Sequence, residues 1–214
     1  IKELKGAVDR DELVICTKVG YIEGPELDIV KKQDKTPKGT LELSADAWHC
    51  IDPDFIEQQV QRSTERLGCV PDVVLLHSPE FFISSPPEAL RGKGREAIVD
   101  AFYENVQNAF EKMESMIADG RIGSYYGVSS SLQGCDYSVT GRPNLWEGPS
   151  LRRLLSVATD AASAAGTSQN SGDSTLPHRM RMAQIPLNLV ESGPVLQTLF
   201  DPDAPPTEPG AEKG

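Results

Sequence analysis

PDVVLLHSPE, residues 71–80, places four apolar residues, Val73, Val74, Leu75 and Leu76, directly before His77. A continuous apolar run of this length, rich in β-branched residues, predicts a strand buried on both faces, as in a parallel sheet. DELVICTKVG, residues 11–20, repeats the pattern, with Val14, Ile15 and Cys16 leading into Lys18. A charged group does not belong inside such a strand. Parallel α/β folds do present polar groups at the C-terminal mouth of the sheet, where their active sites lie. Lys18 and His77 are therefore expected to face one pocket.

Working outward, Asp52 is an N-cap, Pro53 suits the first helical position, and Ile51 and Ile56 stand at staple positions. Phe55, Ile56, Val60 and Leu67 line one face of that predicted helix until Gly68 ends it. Ile98, Val99, Phe102, Val106, Ala109, Phe110, Met113 and Ile117 form the stripe of a long second helix, stopped by Gly120. A third strand is expected at roughly 121–128, ending in Ser129-Ser130-Ser131. A helix follows at 150–165, and a fourth strand in RMAQIPLNLV (181–190), which carries Gln184 and Asn188. Residues 1–9 read as the end of a helix, and 81–95 as a Pro/Ser/Gly loop. Residues 20–49 read as a long charged connection with little periodicity, a lid or an insert.

Strands that alternate with helices predict an α/β fold of parallel strands joined by right-handed crossovers. An open doubly wound sheet and a (β/α)8 TIM barrel compete. Neither GxGxxG after a first strand nor GxxxxGK[ST] occurs, so phosphate-loop chemistry is unsupported. Polar residues instead recur at strand ends (Lys18, His77, Ser129, Ser130, Gln184), which favours the barrel. Four strands make only half of one, and a whole barrel needs about 250 residues.

The 214-residue chain is 38% hydrophobic and 25% charged, ordinary for a soluble globular protein. A net charge of −11 argues against nucleic acid or an anionic membrane as partner. Cys16, Cys50, Cys69 and Cys135 include no CxxC pair, which predicts free thiols in a reducing, cytoplasmic setting, and no metal site. Residues 201–214, with four prolines, read as a tail beside a single domain over 1–200.

A lysine at an apolar rim can form a Schiff base, hold an anion, or lower the pKa of a neighbouring acid. A histidine on the next strand can polarise a carbonyl or move a proton. Taken singly, Lys18 could be a snorkelling strand-end lysine and His77 a satisfied core histidine. On adjacent strand ends they point to function.

Four blocks sharpen this reading: ELVICTKVG (12–20), HCIDPDFIEQQVQRSTERLGCVPDVVLLHSPE (49–80), AFEKMESMIADGRIGSYYGVSSS (109–131) and MAQIPLNL (182–189). In order and spacing they resemble the aldo-keto reductase superfamily, over most of residues 11–190. The resemblance implies a TIM-type barrel, here about strands 3 to 6. It also implies reduction of aldehyde or ketone carbonyls, or the reverse oxidation, with NADPH or NADH and without metal. Lys18 and His77 match two members of the family's Tyr, Asp, Lys and His catalytic group. Ser129, Ser130 and Gln184 fall where the family holds the nicotinamide carboxamide. Ser130 replaces the usual Asn, and a hydroxyl cannot span a carboxamide as an amide does.

By the same resemblance, the family's Asp and Tyr fall upstream of Ile1 and its adenosine-phosphate loop beyond Gly214. None of Tyr21, Tyr103, Tyr125, Tyr126 or Tyr137 matches the acid. The implied roles are that Lys18 lowers the pKa of that Tyr and His77 orients a small carbonyl substrate. Little turnover is then expected from this chain alone. The alternatives are an inactive truncated barrel that binds a nucleotide or a protein, and a Schiff-base aldolase using Lys18.

Overall fold

The computed structural model of the protein describes residues 8–33, 35–130, 149–168 and 176–188. Along the chain run β1 (Cys16–Val19), β2 (Tyr21–Glu23), α1 (Gly24–Gln33), β3 (Leu41–Glu42), β4 (Ala47–His49) and α2 (Pro53–Leu67). They are followed by β5 (Val73–His77), α3 (Phe81–Ser84), α4 (Arg95–Ala118), β6 (Tyr125–Ser129), α5 (Leu151–Ala164) and β7 (Met180–Gln184). The expectations for residues 1–7, for Ser131, Cys135 and Tyr137, for 189–190 and for the tail 201–214 lie outside the described residues.

Strands β1, β5, β6 and β7 form a parallel sheet in the order β1-β5-β6-β7. The fold is thus α/β, with helices between the strands as the hydrophobic runs predict. The α2 helix starts where its cap residue dictates. The Asp52 carboxylate accepts from Asp54 N at 3.0 Å and from Phe55 N at 3.4 Å. It ends at Gly68, whose φ of 73° is left-handed. β1 begins at Cys16, later than the apolar pattern suggests, because Ile15 N donates to the Asp72 carboxylate at 2.7 Å instead of to a strand.

One sheet face is covered by helices. Val19, Val74, Leu76, Tyr126, Val128 and Met180 pack there with Phe102, Phe110, Met113 and Leu154 in a single cluster. Burying each such side chain contributes about 1.5–3 kcal/mol. Glu114 of α4 is fully buried among them, accepting from Arg179 N at 2.7 Å and Thr167 Oγ1 at 3.0 Å. It thereby ties α4 to the chain entering β7, and so sets where Gln184 emerges.

Residues 20–49 are not the unstructured connection expected from their charge. β2, β4 and β3 form a small antiparallel sheet in the order β2-β4-β3, with α1 packed beside it. Ile22, Leu27, Cys50 and Phe55 make its separate core. Its strands are two or three residues long, too short to show an alternating pattern. The expected loop at 81–95 likewise contains α3 and a 3₁₀ turn over Glu88–Leu90.

No helix among the described residues is long and apolar enough to cross a membrane.

Candidate functional site

Strand register places the polar strand ends side by side. His77 pairs with Ser129 across β5–β6, and Ser129 with Gln184 across β6–β7. The ladder continues one residue further: Ser78 N donates to Ser129 O at 2.7 Å, and Ser130 N to Gln184 O at 3.0 Å. Lys18 stands opposite Leu75 on β1, the neighbour of β5. Their alternation puts Lys18, His77, Ser129 and Gln184 on the sheet face away from the helical core.

All five residues singled out in the sequence, Lys18, His77, Ser129, Ser130 and Gln184, line one cavity of about 370 Å³ at the C-terminal ends of the strands. The same wall includes Ser78 and Glu80, to which the sequence reading assigned no role. Ser78 adopts a left-handed φ of 46°, a strained conformation for a non-glycine residue that turns the chain back beneath the strand ends. Glu80 consequently lies on the wall at 6% exposure, and Ser130 Oγ donates to its carboxylate at 2.8 Å. The only signal for Glu80 was its place in the LLHSPE block.

The groups divide by polarity. Ser129 Oγ donates to Gln184 Oε1 at 3.1 Å, which leaves the amide nitrogen of Gln184 as its donor. His77 titrates below the usual imidazole range, first because it is partly buried and then because the Lys18 ammonium is close. The imidazole is thus neutral at neutral pH, able to donate from one nitrogen and accept at the other.

Behind His77 stands an aromatic group drawn from the small sheet. The Tyr21 ring packs edge-on to His77 at 4.7 Å between centroids, to His49 at 5.5 Å and to Phe81 at 5.8 Å. The Tyr21 phenol is pushed up by burial and drawn part of the way back by the Ser78 hydroxyl. Tyr21 did not match the acid expected from the resemblance, yet the fold sets it against His77. Tyr125 and Tyr126 lie within β6, as expected, with Tyr126 fully buried.

A larger cavity, about 520 Å³, lies between α1 and α2, where Glu26 and Arg62 pair at 2.6 Å. Its wall has no His, Cys, Ser or Tyr, so it offers no group suited to proton transfer near neutral pH. Of these two cavities, the one at the strand ends is the chemically equipped one. No family model, curated protein or solved structure matches this chain.

Proposed function

We propose that the chain is the central part of a TIM-type (β/α)8 barrel of aldo-keto reductase type, acting on carbonyl compounds with NADPH or NADH. The observation that supports this reading most is the convergence of Lys18, His77, Ser129, Ser130 and Gln184, from four neighbouring parallel strands, on one cavity. That is where barrels hold ligand and catalytic groups.

The polar set suits a carboxamide. Gln184 offers an amide donor, while Ser130 and Glu80 offer acceptors. Nicotinamide, when bound, supplies the hydride for carbonyl reduction. The chain's own residues bind and orient. Ser129 fixes the Gln184 amide, and neutral His77 donates an N–H to a carbonyl oxygen. Lys18 places a positive charge where it lowers the pKa of a hydroxyl set beside it.

Titrating the chain with NADPH, followed by nicotinamide fluorescence, tests the reading. Saturable binding is expected, weakened about tenfold by Gln184→Ala, in line with loss of one hydrogen bond of about 1.4 kcal/mol. No binding, or binding indifferent to Gln184, rejects it. The non-catalytic alternative, a protein- or nucleotide-binding fragment, draws support from apolar residues exposed where the chain leaves β7: Ile185, which lines the cavity, and Leu187.

A further inference from the structure

We infer that the larger cavity, between α1 and α2, is a second binding site, for a small organic carboxylate with an apolar body such as a medium-chain alkanoate. It shares no residue with the strand-end cavity and does not depend on the reductase reading.

Its volume, about 520 Å³, is of the size that holds a small molecule. Ile29, Val30, Pro37 and Phe55 supply its apolar surface. Phe55 belongs to the core of the small sheet and is 2% exposed, whereas Ile29, across from it on α1, is 51% exposed. A lone exposed isoleucine on a convex surface is ordinary. One that lines a concavity with Val30 and Phe55 is apolar surface that a ligand's hydrocarbon removes from water.

The wall also carries charge, and its acids are already engaged. Glu26 pairs with Arg62 at 2.6 Å. The Asp52 carboxylate accepts from Asp54 N and Phe55 N in the first turn of α2. Asp54 lies 3.6 Å from Lys112 of α4. Lys35 and Lys38, by contrast, have no carboxylate partner among the described residues. Lys31, which does not line the cavity, is instead held by Ala45 O at 2.6 Å and over the Trp48 ring. In a chain of net charge −11, two uncommitted ammonium groups beside one apolar concavity select an anion. The positive end of the α2 dipole lies on the same wall and adds to that preference. The three neighbouring acids disfavour a dianion such as a phosphate monoester, so the single charge of a carboxylate fits best. With no His, Cys, Ser or Tyr in the wall, the site binds its ligand without reacting with it.

Calorimetric titration with decanoate, below its micelle-forming concentration, tests the site, with decanol as the uncharged control. The wild-type chain is expected to bind decanoate saturably and about tenfold more tightly than decanol, the effect of two partly exposed charge pairs. Raising the salt concentration should narrow that ratio. In the double variant Lys35→Gln, Lys38→Gln, decanoate should fall to the level of decanol. Ile29→Asp should weaken both ligands, and Lys18→Met should change neither. All these side chains are exposed, and a thermal melt identifies any variant that fails to fold. The wild-type ratio remains decisive in that case. Absence of decanoate binding overturns the inference, as does equal binding of decanoate and decanol. So does decanoate binding that is unchanged in the folded double variant, or that is lost in Lys18→Met, which would put the anion at the strand ends.

Discussion

His49 Nε2 lies 2.7 Å from the backbone carbonyl of His77, and a carbonyl only accepts, so that nitrogen carries the proton. Gly20 is what lets the two meet. Its φ is +131°, and a Cβ there would stand 3.0 Å from His49 Nε2 and 3.1 Å from His77 O. The small antiparallel sheet is thereby fastened to the end of β5 at the residue that faces the cavity. His49 is 1% exposed, and burial lowers its pKa from 6.5 to about 4, only partly opposed by the bond to His77.

That depression makes stability pH-dependent with a definite sign. The unfolded chain takes up a proton on His49 as pH falls through 6.5, whereas the folded chain resists until about 4. Stability from this group is therefore complete above pH 6.5 and lost as pH falls towards 4. The loss amounts to about 3 kcal/mol over that window. Urea midpoints measured between pH 7 and pH 4.5 check it against His49→Gln, which keeps an N–H donor and does not titrate. The wild type should lose more stability than the variant across this range. Parallel curves would mean that His49 protonates without penalty.

Gly127 marks a second close approach, where β6 and β7 shift register between Tyr126 and Gly127. A Cβ on Gly127 would overlap the Met182 carbonyl oxygen, and backbone cannot step aside as a side-chain tip would. Gly127→Ala should therefore push β7 away from β6 and carry Gln184 out of line with Ser129. The expected cost is about 3 kcal/mol, at the upper end of what overpacking causes. Chemical denaturation measures it. A loss below about 0.5 kcal/mol would show that β7 can yield without disturbing the ladder.

The parts of this architecture that were legible in the sequence share one physical property: their signal is local. The apolar run before His77 is long enough to specify a buried strand, and Asp52-Pro53 with Gly68 punctuates α2 through its own backbone bonds. The polar strand ends could be placed in one pocket because parallel register carries them to the same edge. Residues 20–49 lacked such a signal, since β2, β3 and β4 are defined by mutual pairing and by contacts to α1, not by their own pattern. Glu80 was invisible for a related reason. The turn at Ser78 that swings it beneath the strand ends is a strained conformation with no composition cue, and a Glu after Ser-Pro ordinarily reads as solvent-exposed. For Tyr21 the sequence carries no signal beyond its failure to match the family's acid. Its contact with His77 follows from the small sheet folding back over β5.

Lys18 and His77 should be electrostatically coupled whatever ligand the cavity takes. His77 titrates low because of burial first and the Lys18 charge second. Replacing that charge in Lys18→Met should raise the His77 pKa, yet leave it below the usual imidazole value, because the larger cause remains. His77 then begins to protonate at a less acidic pH in Lys18→Met than in the wild type. An NMR titration of the His77 ring protons in both proteins reads this directly, with His178 as internal reference, since burial and the Arg181 charge lower its pKa. An unchanged His77 curve would separate the two residues electrostatically and remove the basis for treating them as one catalytic pair. A rise confined to His77 would fix the Lys18 charge as the second source of its depressed pKa.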